Sequence, residues 1–141
     1  MRAIDILNAK GREVVTVSPD AALHTAIETM AARNIGAVVV VGESRVVGIL
    51  SERDVVRLLA GAPTGFRESR IDALMTKDPV TVGEGATIDE IEDLMTERRI
   101  RHLPVVEASD LVGILSIGDV VKHRIEAAHE EAEALKGYIQ G

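Results

Sequence analysis

Apolar and polar positions follow one order along this chain, and then follow it again. Val14 to Val17 is a short β-branched run, the pattern of a half-buried strand. Leu23, Ile27 and Met30 then recur at helical spacing and predict an amphipathic helix. Ala37 to Val41 is a continuous apolar run, and Val46 to Leu50 is its predicted hairpin partner across Gly42-Glu43-Ser44-Arg45. A second helix, starting near Ser51, carries Val55, Val56, Leu58 and Leu59. From Pro79 the order returns. Val80 to Val82 predicts the strand, Ile88, Ile91, Leu94 and Met95 the helix stripe, and Leu103 to Val106 with Leu111 to Leu115 the hairpin across Glu107-Ala108-Ser109-Asp110. A helix near Ser116 with Val120, Val121 and Ile125 closes the round.

The two rounds align without a gap at a shift of about 65 residues, and roughly 18 of some 42 positions from Val15 onward are identical, the mark of a duplicated structural unit. A unit of roughly 60 residues buries too little surface to be comfortable alone, so the copies are expected to pack apolar face to apolar face, with function at their pseudo-twofold seam. The predicted architecture is α/β (α+β), two pseudo-twofold-related β-α-β-β-α repeats packed through their sheets. In chain order, residues 1–62 hold the N-terminal segment and first repeat, 63–72 a linker, 73–125 the second repeat and 126–141 a C-terminal helical extension. The connection from Gly61 to Arg70 contains Gly61, Pro63, Thr64 and Gly65, a helix-breaking composition. Residues 126–140 are rich in Ala and Glu and predict a helix. On it Ala128, Leu135, Tyr138 and Ile139 offer a side either for a second subunit or for the chain's own domain.

Composition narrows the chemistry. The 141 residues contain no cysteine, which removes disulfides, zinc-thiolate sites and thiol catalysis. A formal net charge of −7 repels nucleic-acid polymers and anionic membranes. The polar residues of MRAIDILNAK do not fit a signal peptide, and no stretch reaches a membrane span, so a cytoplasmic location is expected. The only aromatic residues, Phe66 and Tyr138, lie outside the repeats. A nucleobase bound by the repeats would therefore sit between aliphatic side chains and be read by backbone groups.

The motif that stands out is the strand-to-helix junction GILSERD, Gly48 to Asp54, repeated as GILSIGD, Gly113 to Asp119. Ser at the N-cap with Asp three residues on is close to a capping box, although that motif prefers Glu or Gln. Capping accounts for the serine. It accounts less well for the aspartate, whose carboxylate suits a cis-diol, while the hydroxyl and free amides of a helix start suit an anion. Gly83-Glu84-Gly85 is rejected as a dinucleotide fingerprint because Ile88 stands at the third glycine position. Thr87 to Glu90 reads instead as a capping box that Ala22 has lost in the first copy. His123, Glu126, His129, Glu130 and Glu133 read as a polar helix face with no metal. No nucleophile set, P-loop or HExxH motif occurs, so no enzymatic activity is expected.

Two β-α-β-β-α units, each ending in G-h-h-S/T-x-x-D, resemble a tandem pair of CBS domains, the Bateman module, over about Val14 to Ile125. The resemblance implies a regulatory or sensor module that binds an adenosyl ligand, AMP, ADP, ATP, NAD(H) or S-adenosylmethionine, in two clefts between the halves. It implies that Asp54 and Asp119 bond ribose hydroxyls and that Ser51 and Ser116 lie beside ribose and phosphate. It places base-lining and phosphate-binding groups at Ile35, Gly36 and Ala37 in the first copy and at Ile100, Arg101 and His102 in the second. Arg53 and Gly118 occupy one equivalent junction position, so positive charge is expected to be unequally shared. Val15 and Val80, with Lys10 and Thr76 upstream, match segments that border adenine and sugar. The resemblance further implies a homodimer shaped as a flat disc, with an output exerted in trans on an effector protein. Two other readings stay open: an oligomerisation scaffold with empty clefts, and an enzyme acting on a nucleotide.

Overall fold

The computed structural model describes residues 1–61 and 64–140, Gln140 by its backbone alone. Ala62 and Pro63 of the expected linker lie outside the described residues. Helix α1 (Ala3–Lys10) precedes the first copy, which consists of β1 (Thr16–Val17), α2 (Leu23–Arg33), β2 (Ala37–Gly42), β3 (Arg45–Ser51) and α3 (Glu52–Gly61). A 3-10 turn at Phe66–Glu68 and the short helix α4 (Ile71–Leu74) lead to β4 (Thr76–Lys77). The second copy then runs through α5 (Ile88–Arg98), β5 (His102–Glu107), β6 (Asp110–Ser116) and α6 (Ile117–Gln140). The C-terminal extension is not a separate helix, because α6 continues unbroken from the second copy's last element.

The duplicated sequence does not give two identical sheets. One sheet has the order β1-β2-β3-β4, with β1 parallel to β2 and the other neighbours antiparallel; the other holds β5 and β6. The strand expected at Val80 to Val82 shrinks to a single parallel bridge between Val82 and Val105. Its cause is one residue. In the first copy Val39 N–H donates to the Val15 carbonyl at 3.2 Å, whereas the equivalent residue of the second copy is Pro104, which has no N–H to donate. Both hairpins turn through two residues of positive φ, Glu43 and Ser44 at 51° and 64°, Ala108 and Ser109 at 48° and 72°. That is the turn geometry whose twist matches the paired strands, adopted here without glycine or asparagine.

The helix stripes behave as their spacing predicts, with one addition. Leu23 and Met30 are buried on α2, Ala26 is buried between them, and Ile27 is only partly covered. Ile88, Ile91 and Met95 are buried on α5, whose Thr87 and Glu90 close the expected capping box at 3.2 Å in both directions. Ala22 caps α2 with no side-chain bond.

Each apolar core is completed from across the chain. Ala3, Ile6 and Leu7 of α1 are fully buried in the core of the second copy, with Ile91, Leu103, Val105 and Leu115. Conversely Ile71 of α4 is buried in the first copy's core with Leu23, Val38, Val40 and Leu50, and Phe66, Leu74 and Met75 pack against it. The chain-order grouping of the N-terminal segment with the first repeat therefore does not describe its packing. The two glycines of the junction motifs permit this exchange. A Cβ on Gly48 would lie 2.2 Å from Met75 Sδ and 3.0 Å from the Thr76 carbonyl oxygen, and one on Gly113 would lie 2.5 Å from Leu7 Cδ2.

Because Leu7 is fully buried against Gly113, Gly113→Ala is expected to destabilise the fold by about 1–3 kcal/mol through overpacking. Leu7→Ala is expected to cost about 2–5 kcal/mol, and the double variant less than the sum, because removing the Leu7 methyls relieves the clash. Urea unfolding of the four proteins measures this; strict additivity would contradict the contact.

Candidate functional site

Two cavities flank the seam, related by the same pseudo-twofold as the copies. The first, 710 Å³, lies between the β3–α3 junction and the segments Thr76 to Val80 and Arg98 to His102. The second, 550 Å³, lies between the end of β6 and the segments Lys10 to Val15 and Arg33 to Ala37. Both volumes fall in the range of small-molecule sites, about 300–1,000 Å³. Gly36 and His102 line both cavities and form their shared wall.

The expected residues divide between the two. Ser51, Arg53, Asp54, Thr76, Val80, Ile100 and Arg101 line the first cavity. Lys10, Val15, Ile35, Ala37 and Ser116 line the second. Asp119 stands at the second through its bonds to Lys10 and Ser116, two of that cavity's lining residues. Gly118 lines neither. Reasoning from the motifs missed Arg57, Asp78, Pro79, Arg98 and Arg99 in the first cavity and Glu13, Arg33 and Asn34 in the second. The signal for Arg98 and Arg99 is present in the charge run Arg98-Arg99-Ile100-Arg101-His102.

The junction carboxylates do more capping than the sequence led us to expect. Asp54 Oδ2 accepts from the Ser51 N–H at 2.9 Å and the Ser51 hydroxyl at 3.0 Å, while the Asp54 N–H donates back to Ser51 Oγ at 3.2 Å. Asp119 Oδ2 accepts from the Ser116 N–H at 2.8 Å, and its own N–H donates to Ser116 Oγ at 3.2 Å. Aspartate thus closes the reciprocal cap in both copies. One oxygen of each carboxylate, Oδ1, takes no part and remains for a ligand hydroxyl. The amides at the helix starts are also partly spent: Glu52 N–H donates to the Gly36 carbonyl and Ile117 N–H to the Arg101 carbonyl, each at 2.9 Å. An anion in either cleft must therefore be met chiefly by side chains.

Those side chains are distributed unequally. In the second cleft Lys10 Nζ donates to Asp119 Oδ2 at 2.6 Å and to the Ile114 carbonyl at 2.9 Å, and Arg33 pairs with Glu13 at 3.2 Å. Both of its cations are thus neutralised by acids of the chain. Around the first cleft stand Arg53, Arg57, Arg98, Arg99 and Arg101, none of them in an ion pair among the described residues. Arg99 caps α5 in the left-handed conformation at φ 53°, a position its first-copy counterpart fills with Asn34, which tolerates it better. Among the described residues Asp54 is bonded by Ser51 and by no basic group.

Electrostatics of the two groups at the seam follow from this packing. Burial pushes the His102 imidazole below its ordinary 6.5, against the opposing pull of Glu52, so it is neutral at pH 7. Burial alone would raise Asp119, but the hydrogen bond from Lys10 and those from Ser116 together outweigh it and hold the carboxyl below its ordinary 3.8. His123, which the sequence placed on a polar helix face, is buried instead. Among the described residues no group of three metal-ligating side chains comes together, and no helix is long and apolar enough to cross a membrane.

A carboxylate whose folded pKa is lowered adds stability above its unfolded value and loses it as pH falls through the folded value. Lys10→Met is accordingly expected to cost about 1 kcal/mol at pH 7, with the difference from the unaltered protein shrinking as pH falls and the Asp119 carboxyl takes up its proton. Paired unfolding curves between pH 7 and pH 2.5 measure it, and a difference independent of pH would refute the ion pair.

Comparisons with known proteins agree with the architecture. The family model described as CBS domain matches twice, at residues 5–61 and 71–126. A mitochondrial CBS domain-containing protein of Arabidopsis thaliana is 32% identical over 146 residues, covering 97% of this chain and 71% of the relative. Some other curated relatives are much longer, and this chain spans 33% and 21% of two of them. Among solved structures, a CBS-domain containing protein from Agrobacterium tumefaciens superposes with a TM-score of 0.84 at 43% identity, covering 88% of this chain and 99% of that one. A CBS domain protein from Pyrobaculum aerophilum complexed with AMP superposes with a TM-score of 0.75 at 26% identity, covering 84% and 89%. With two matched domains, an exchanged pair of cores and a cleft on each side of the seam, the chain belongs to the CBS domain family as a tandem CBS pair.

Proposed function

We propose that this protein is a non-enzymatic regulatory module that binds a phosphate-bearing adenosine ligand, with the first cleft as its principal site. The observation that carries this reading is the set of five arginines, free of ion pairs among the described residues, around a cleft that also presents Asp54. A sugar diol matches the open Oδ1 of Asp54. Phosphate oxygens match Arg guanidinium groups, whose charge-assisted bonds are the strong kind. Ile49, Val80 and Ile100 supply an aliphatic slot for a flat base, which suits a chain with no aromatic residue in either repeat. The AMP complex of the Pyrobaculum aerophilum relative supports adenosine as the nucleoside. AMP, ADP, ATP and NAD(H) all meet these requirements; S-adenosylmethionine, which carries no phosphate, makes no use of the arginines.

The second cleft fits the same ligands less well, because Lys10 is paired with Asp119 and Arg33 with Glu13, which leaves neither cation free for phosphate. Regulation follows from position. Both clefts are walled by segments from both copies, so a ligand that bridges them shifts the seam and, through it, α3 and α6, a change that an effector protein reads in trans.

A thermal-shift panel of AMP, ADP, ATP, NAD, NADH and S-adenosylmethionine tests the proposal. Ligand at 100 times its dissociation constant is expected to stabilise the fold by about 2.7 kcal/mol, or several degrees. Asp54→Ala is expected to weaken the response at least tenfold while leaving the fold intact, and Asp119→Ala to weaken it far less. Equal loss in both variants would refute the ranking of the clefts. No response to any ligand would favour the empty-cleft scaffold.

A further inference from the structure

Among the described residues His102 is the one titratable side chain that lines both clefts. Its reach comes from the seam. Residue 36 has no side chain, and a Cβ built there would lie 3.4 Å from His102 Cε1, from His102 Nε2 and from Glu52 Oε1, so ring and carboxylate share the space over Gly36. The ring belongs to the first residue of β5, whose register partner is Ser116. At the equivalent place in the first copy stands Ala37, which has no ionisable group. The duplicated frame thus holds a single titratable ring at its centre, where full symmetry would hold two.

Charges reach the ring from α1, α3, α6 and the turn before β5. Burial opposes its protonation most; Glu52 and Asp119 favour the charged form, while Lys10 and Arg101 resist it. The opposition wins, and the imidazole is neutral at pH 7. A phosphate group reverses that balance. Held by arginines of the first cleft, Arg101 among them, it cancels a charge that resisted protonation and adds a negative one beside the ring. Reading the first cleft as the phosphate site, on which this step rests, we propose that His102 takes up a proton when ligand binds and so makes binding there stronger as pH falls. The charged ring is presented to the second cleft as well, where Lys10 and Arg33 are already paired. Filling the first cleft thereby supplies the second with a cation.

The sign follows from linkage. Affinity rises as pH falls through the value of the ring beside phosphate and levels off below the value of the free ring, by at most about tenfold per pH unit for one proton. Calorimetric titration of the full chain with AMP and with ATP, at pH 7 in buffers of different ionisation enthalpy, counts the protons exchanged. Net uptake is expected, and it stays at or below one proton per chain even with both clefts filled. The ligand cannot supply that signal, because a phosphate ester with its second pKa near about 6 loses a proton when its dianion is bound. Between pH 8 and pH 6.5 the affinity of the unaltered protein is expected to rise about threefold or more. H102Q is expected to take up no proton and to show a flat or falling profile over that range. E52Q is expected to take up less at pH 7, because a group that favours the charged ring is gone. The proton count needs no variant, so it stands whatever H102Q does to the fold. Binding without proton uptake, or an H102Q protein weakened by the same factor at every pH, would overturn the proposal and leave the sensor reading intact. No binding of either ligand would overturn both.

Discussion

Leu7 lies over Gly113 and Met75 over Gly48, and the molecule is organised around those two contacts. Each brings the leading segment of one copy onto the sheet of the other. Neither half closes its apolar core without a segment that the chain order assigns elsewhere. The energetic consequence is cooperativity: opening one copy strips Ile6 and Leu7, or Ile71, from the neighbouring core. The geometric consequence is the pair of clefts. Because the crossing segments continue past the cores along the seam, Lys10 to Val15 borders one cavity and Thr76 to Val80 the other. The fold makes the two clefts as a by-product of how it completes its cores.

Pseudosymmetry of the backbone does not carry over to the chemistry. The junctions are built alike, with the same serine, the same aspartate and the same reciprocal cap. What differs is supplied by positions where the copies diverged. Arg53 corresponds to Gly118, Arg101 to Gly36, and Arg99 to Asn34. In one cleft the cations carry no ion pair among the described residues. In the other both cations are paired with acids of the chain. A duplicated unit has thus kept its frame while the charge around its two clefts has diverged, with Gly36 and His102 as their common wall.

Much of this was legible in the sequence, and the parts that were not have identifiable causes. Helices α2 and α5, both hairpins and both junctions follow from local periodicity and from turn composition, which a sequence displays directly. The strand at Val80 to Val82 was misjudged because its partner's missing N–H belongs to Pro104, a residue remote in the chain. Helix α1 was not read from the sequence, and its eight residues give no sign of which core they complete. The reciprocal caps of Asp54 and Asp119 depend on a rotamer choice that composition does not reveal. The Lys10–Asp119 pair joins residues 109 positions apart, and no local pattern announces it.

The central claim is that the two clefts differ because one is open and charged while the other is satisfied from within. Isothermal titration calorimetry of the unaltered protein with AMP tests it most directly, since stoichiometry is read without any mutation. The account predicts a tight phase that saturates at one AMP per chain, with any second phase at least tenfold weaker. A single phase saturating at two AMP per chain, with equal affinities, would contradict it.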